Sequence, residues 1–79
     1  MLAANEVIGL SNLSTSGLEY IARNSGYSQT KLMNSEFIGL NIDCKFVYNA
    51  YYIDMEGEHR SCKMYVSLKG GQRILHIEE

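Results

Sequence analysis

The sequence contains no proline and no tryptophan, and among its 79 residues only seven are basic while nine are acidic. Without proline, no rigid linker separates one part of the chain from another, and the length suits one domain over residues 1–79. The formal net charge is -2, with the two signs interspersed. This balance does not provide the basic field that non-specific binding to nucleic acids or membrane surfaces requires.

Long hydrophobic runs are also missing, because the apolar stretches are only a few residues long. A membrane-spanning helix needs about 20 consecutive apolar residues. The first residues do not show a basic segment followed by a hydrophobic one, which is the pattern of a secretory signal. We therefore expect a soluble, cytoplasmic protein without membrane contact.

Motifs of catalytic and metal sites are absent from the sequence. It has no nucleophile elbow, no phosphate-binding glycine loop with its lysine, and no HExxH. His59 and His76 do not lie at ligand spacing from a cysteine. The carboxylates gather in a predicted loop and at the end of the chain, where solvated charge is commoner than a catalytic acid. The sequence predicts a protein that is not an enzyme and has no metal or cofactor.

Two long runs of alternating apolar and polar residues lie between Asn41 and Leu68, and they predict a β-hairpin. An odd-numbered loop within 54–60 places the apolar residues of both strands on one face, whereas a two-residue loop at Glu56-Gly57 mixes the faces. The predicted pairs are Tyr52 with Cys62, Ala50 with Met64, Tyr48 with Val66, and Phe46 with Leu68. A tight turn at Gly70-Gly71 adds a third strand, pairing Val66 with Leu75 and Met64 with Ile77.

The N-terminal part of the chain predicts short helices. Residues 1–13 fit a helix from Asn5 or an edge strand equally well. Ser16-Gly17-Leu18-Glu19 has the pattern of a capping box, and the helix that it begins ends at Asn24-Ser25-Gly26. Ser28 caps a second short helix that ends before Gly39. The predicted fold is α+β, with the N-terminal short helices packed on one face of a three-stranded antiparallel meander.

The segment from Leu18 to Phe37 resembles the helix-turn-helix of AraC-type regulators. Ile21 and Ala22 fall where that motif packs its first helix, Gly26 falls at its turn, and Leu32 falls where its second helix returns to the core. In such a motif the second helix lies in the major groove. The resemblance implies that four residues face DNA: Ser28, Gln29, Thr30 and Lys31. The alternative is a helical hairpin that only packs on the sheet.

The second face of the predicted sheet is unusually apolar for a surface left in water. Either residues 1–13 cover it, or its apolar residues stay scattered, or it binds a protein partner or a second copy of the chain. We predict a small regulatory or inhibitory interaction module, with a two-fold homodimer through Val47, Tyr51, Tyr65 and Ile74 as the simplest assembly. The predicted partner-binding residues are Val47, Tyr51, Ile53, Tyr65, Ile74 and His76.

The two cysteines are predicted to be separate buried thiols. Cys62 lies opposite Tyr52 in the predicted register, and Tyr52 is eight residues along the strand from Cys44. At about 3.3 Å per residue this separation is roughly 26 Å, which is too long for a disulfide.

Overall fold

The computed structural model describes residues 3–27 and 29–78, and these form an α+β fold. Two helices precede a four-stranded antiparallel sheet in which each strand pairs with its neighbour in the chain. Ser28, one of the predicted DNA-facing residues, lies outside the described residues. The elements are α1 (Ala4–Ser11), α2 (Thr15–Asn24), β1 (Asn34–Leu40), β2 (Phe46–Ile53), β3 (His59–Lys69) and β4 (Gln72–Glu78).

The predicted division of β2, β3 and β4 into two faces is confirmed. Phe46, Tyr48, Met64 and Val66 are at most 1% exposed, and they form the core with buried residues of both helices. We call this side of the sheet the inner face. The turn between β3 and β4 is also confirmed, since Val66 pairs with Leu75 and Met64 with Ile77. Gly70 and Gly71 have φ angles of 59° and 80°, which the primed hairpin turn requires.

The predicted three-stranded sheet is wrong by one strand, because β1 occupies the segment assigned to the end of a second helix. Residues 29–33 form turns and irregular backbone, and Asn34–Leu40 pairs antiparallel with β2. The alternation of Glu36 and Phe37 suits a strand, and β2 supplies the backbone partners that a short isolated helix lacks. The register shifts between Phe37 and Gly39, which marks a bulge.

The predicted strand over residues 41–45 is a turn that connects β1 to β2. Asn41 Oδ1 accepts hydrogen bonds from the backbone N–H groups of Asp43 and Lys45, both at 3.0 Å. Cys44 adopts a φ of 59°, a left-handed conformation that breaks an extended strand. The alternating pattern places Ile42 on the same face as Phe46, but in the structure Ile42 is 99% exposed. A local side-chain to backbone contact therefore overrides the alternating pattern.

The predicted pairing of β2 with β3 has the correct faces, but its register is wrong by two residues. Phe46 pairs with Val66, Tyr48 with Met64, Ala50 with Cys62, and Tyr52 with Arg60. The reason is a shorter loop over residues 54–58, in which Asp54 Oδ1 accepts from Glu56 N and Glu58 N at 2.9 Å. Gly57, with a φ of 81°, completes the turn. The loop has an odd number of residues, as predicted.

Both helices lie on the inner face, and residues 4–11 are helical rather than an edge strand. The N-cap of α2 is Ser14, whose Oγ accepts from Gly17 N at 3.0 Å, so the predicted cap at Ser16 is wrong. Glu19 instead accepts from Leu32 N at 2.6 Å. The predicted end of the helix is confirmed by the C-cap at Ser25 and the positive φ of the following glycine. Because α1 packs on the inner face, residues 3–13 do not cover the other face, which contradicts the alternative in which residues 1–13 do so.

Tyr48 joins the sheet to the N-terminal helices through its hydroxyl. That hydroxyl donates to the Leu10 carbonyl and accepts from Leu13 N at 3.0 Å, and the side chain is 1% exposed. Leu10 and Leu13 are at or just after the end of α1, where helix carbonyls and the connecting backbone need partners. Tyr48 therefore fixes the α1–α2 connection on the core.

No disulfide joins the two cysteines, as predicted, but their environments differ. Cys62 is buried, whereas Cys44 is exposed in the turn before β2, which corrects the prediction of two buried thiols. We expect a thiol reagent to modify Cys44 rapidly in native protein and Cys62 only after unfolding. Titration with and without denaturant should give one and then two reactive thiols. Two fast thiols in native protein would contradict the burial of Cys62.

Among the described residues, no helix is long and apolar enough to cross a membrane.

Candidate functional site: the outer face of the sheet

The face of the sheet opposite the helices, here called the outer face, has no described element packed on it. The helix residues in the core, such as Leu10, Leu18 and Ile21, all contact the inner face. The residues of the outer face follow from the strand registers and form successive rows across the sheet. They are Asn34, Glu36, Gly39, Val47, Asn49, Tyr51, Ile53, His59, Ser61, Lys63, Tyr65, Ser67, Lys69, Gln72, Ile74, His76 and Glu78.

One apolar patch on the outer face is formed by Val47, Tyr65, Ile74 and His76. Tyr65 is paired with Val47 on β2 and with His76 on β4, and the rings of Tyr65 and His76 lie with centroids 6.4 Å apart. Ile74 is 37% exposed, whereas Val47 is only 8% exposed. The tyrosine, isoleucine and histidine therefore supply the accessible surface of this patch, and Val47 supports it from below.

A second apolar patch is formed by Tyr51 and Ile53 at the other end of β2. These side chains are 38% and 46% exposed. A polar row separates this patch from the first: Glu36 pairs with Asn49, Asn49 with Lys63, and Lys63 with Glu78. The outer face thus has two apolar patches and a charged row between them.

Carboxylates of the charged row accept hydrogen bonds from the hydroxyls of both tyrosines. The Tyr51 hydroxyl donates to Glu36 Oε1 at 3.0 Å, and the Tyr65 hydroxyl donates to Glu78 Oε1 at 3.2 Å. The hydrogen bond that Tyr51 donates to Glu36 raises the pKa of Tyr51 above its usual value, and partial burial together with Glu78 raises the pKa of Tyr65. Both phenols therefore stay protonated near neutral pH, and each hydroxyl is joined to a carboxylate of the same sheet.

The structure places all six predicted partner-binding residues on the outer face, but it does not unite them in one patch. Val47, Tyr65, Ile74 and His76 are contiguous, while Tyr51 and Ile53 lie beyond the polar row. Sequence reasoning missed Glu36 because its segment was assigned to a helix. The alternation of Asn34 and Glu36 with Ser35 and Phe37 is the signal that predicts its outward position.

The residues that the helix-turn-helix resemblance implies for DNA contact are not on a helix. Gln29, Thr30 and Lys31 belong to the irregular connection between α2 and β1. Thr30 Oγ1 donates to the Tyr27 carbonyl at 2.7 Å, and the Thr30 carbonyl accepts from Arg23. The predicted second helix, which was to end before Gly39, is therefore wrong for residues 29–38, because these form irregular backbone and then part of β1.

A cavity of about 550 Å³ opens between this connection and the end of β2. Its lining includes Tyr27, Leu32, Tyr52, Asp54 and Cys62. The carboxylate of Asp54 is bound by Arg60 Nε at 2.5 Å and by two backbone amides. The Arg60 contact is the main reason that the pKa of Asp54 is lowered, so this carboxylate is ionised at neutral pH. Its chemistry is that of a structural turn residue, because a general acid needs a raised pKa.

Among residues 3–27 and 29–78, no cluster of three or more histidine, cysteine or acidic side chains has the arrangement of a metal site.

Comparisons with known proteins give no match at any level: no family model, no curated protein and no solved structure is similar to this chain.

Proposed function

We propose that the protein is a small non-catalytic interaction module that binds a partner protein through the outer face of its sheet. The observation that carries the proposal is the position of both helices on the inner face, which leaves the two apolar patches uncovered. Protein interfaces use buried aromatic and aliphatic anchors surrounded by polar contacts. The tyrosines and Ile74 provide the anchors, and the charged row provides the polar contacts.

The hydrogen bonds of Tyr51 and Tyr65 support a role in recognition. Each hydroxyl is hydrogen bonded to a carboxylate of the same sheet, so binding removes less side-chain freedom than it would from an unbonded ring. The matching partner surface has apolar groups opposite the two patches. Between them it carries a donor for Glu36 and an acceptor for Lys63. By occupying such a surface on its partner, the protein would regulate or inhibit that partner.

The test is a comparison of variants in an affinity capture from a lysate of the organism that makes the protein. Ile74→Glu changes the first patch, where the side chain is 37% exposed. The matched control is Tyr20→Glu, because Tyr20 is 68% exposed on α2 and is absent from the outer face. We expect wild type and Tyr20→Glu to retain one protein and Ile74→Glu to lose at least nine-tenths of it.

The salt dependence of the captured complex provides an independent readout. A protein that contacts 6–10 phosphates loses about 10³-fold or more in affinity between 50 and 200 mM salt. A mainly apolar sheet contact should lose far less. Equal capture by wild type and Ile74→Glu, or a loss of the size typical of phosphate contacts, would show that the outer face is not the binding site.

A further inference from the structure

The outer edge of β1 differs from the other edge of the sheet. At β4, side chains from the end of α2 and the following loop satisfy backbone amides: Leu75 N donates to Ser25 Oγ at 2.9 Å, and Ile77 N donates to the Tyr27 hydroxyl at 3.2 Å. At β1, Ser35 N donates only locally, to Asn34 Oδ1 at 2.8 Å. No strand of the described residues pairs with β1 on the side away from β2, although α2 contacts β1 through a hydrogen bond between the Thr15 and Ser35 hydroxyls at 2.7 Å.

The edge strand β1 is also apolar. Phe37, Ile38 and Leu40 are 38%, 50% and 52% exposed, and the preceding Met33 is 60% exposed. Glu36 is the one charged residue of β1, and its carboxylate already accepts from Tyr51. Exposed edge strands usually carry lysine, proline or a covering loop that prevents pairing with another chain. In the described part of the chain β1 has none of these, although it contains a bulge.

We propose that β1 is a self-pairing edge, and that two copies of this chain join antiparallel through β1 to form one eight-stranded sheet. The proposal concerns a surface separate from the outer face. With the two-fold axis near Phe37, the two Phe37 side chains meet on the inner face. The two Glu36 carboxylates then lie on opposite sides of the axis, which avoids facing like charges.

The exposed apolar area limits how much surface this pairing can bury. If a fully exposed large side chain has on the order of 150–200 Å², the four side chains expose roughly 350 Å² per copy and about 700 Å² in the pair. The hydrogen-bonded backbone edges add to this area. Stable specific interfaces bury roughly 1,200–2,000 Å² in total, so the β1 pair belongs at or below the lower limit. Interfaces of this size are typical of weak, transient complexes, so we expect a reversible dimer with a dissociation constant no tighter than micromolar.

Sedimentation over a concentration series tests the pairing with two single substitutions. Ile38→Lys places a charge on the edge, whereas Ile74→Glu changes the outer face through which the sequence predicted a dimer, at a position on β4 away from β1. We expect wild type and Ile74→Glu to dimerise alike, and Ile38→Lys to raise the dissociation constant at least tenfold. A wild type that stays monomeric to several hundred micromolar would overturn the proposal, as would a dimer that Ile74→Glu dissociates and Ile38→Lys does not.

Hydrogen exchange on the wild type keeps the test independent of how well a variant folds. Backbone amides of residues 33–40 should exchange more slowly at high protein concentration, while those of β4 should not change. Stacking through the outer face predicts no selective protection of β1, because side chains and not backbone edges make that contact. Concentration-independent exchange in β1 would rule out strand pairing. A loss of partner capture without a loss of dimerisation would bear only on binding through the outer face. The failure of one proposal can therefore be distinguished from the failure of the other.

Discussion

Replacing Phe46 with alanine should lower the free energy of unfolding by about 3–5 kcal/mol, the range of large-to-small changes at buried aromatic positions. Phe46 is fully buried at the start of β2 and belongs to the single core cluster. Because small domains have about 5–15 kcal/mol of stability, this variant should be largely unfolded or close to its unfolding transition at 37 °C. Urea denaturation followed by circular dichroism measures the change.

The control for Phe46→Ala is Ile42→Ala. Sequence alternation predicts that Ile42 shares the inward face with Phe46, but the structure places it in the turn with 99% exposure. We expect this change to alter the free energy of unfolding by less than about 0.5 kcal/mol, as surface substitutions usually do. If Ile42→Ala lowered the free energy of unfolding by 2 kcal/mol or more, residues 41–45 would belong to the strand, and the observed turn would be contradicted.

Removing only the hydroxyl of Tyr48 should cost about 1–3 kcal/mol, although Tyr48→Phe leaves the ring in place. The change leaves the Leu10 carbonyl and the Leu13 amide without their side-chain partner at the connection between the helices. Tyr20→Phe is the matched control, because Tyr20 is 68% exposed. Thermal and urea denaturation of both variants should separate them clearly, and equal stability of Tyr48→Phe and wild type would contradict this role.

The same hydroxyl predicts how stability depends on alkaline pH. Burial is the main cause that raises the pKa of Tyr48 above its ordinary value of 10.0, so the folded state holds this proton more tightly than the unfolded state. The contribution is therefore fully present below about pH 10 and is lost as the pH rises through the folded pKa. Tyr48→Phe should lose less stability than wild type between pH 9 and 11. An unchanged alkaline slope would argue against this titration.

The parts of the fold that sequence reasoning predicted correctly are those governed by alternation. Phe46 and Tyr48 on β2, and Met64 and Val66 on β3, reach the inner face because side chains alternate strictly along a strand. An error of two residues in register keeps this division into faces, since two is the period of the pattern. The glycine pair at residues 70–71 was equally informative, because few residues accept two successive positive φ angles.

The errors arose where a polar side chain bonds to nearby backbone. Asn41 builds the turn that ends the alternating run, Asp54 shortens the next loop, and Ser14 caps α2 in place of Ser16. Several polar residues in each segment could have formed these hydrogen bonds, and tertiary geometry determines which of them does so. The strand β1 was missed for a related reason, since seven residues with weak preferences become a strand by pairing with β2.

The candidate site was predicted in position but not in organisation. The six outward residues were identified from the alternation, whereas the charged row required Glu36 and Glu78 to be placed beside Asn49 and Lys63. That placement depends on the existence of β1 and on the register of β4. Burial of Val47 also depends on neighbours across strands, which the sequence of β2 alone does not specify.

The order of the strands has a consequence for how the chain folds. Each strand pairs with its neighbour through a short loop, so the meander can grow from local contacts with little entropy of loop closure. The hydrogen bonds from Leu75 to Ser25 and from Ile77 to Tyr27 instead join residues 50 positions apart. We expect the docking of the end of α2 against β4 to be a late step, because Ser25 and Tyr27 find these backbone partners only after β4 has been synthesised and added. During translation the contacts that satisfy the edge of β4 therefore form after β1, β2 and β3 are available to pair.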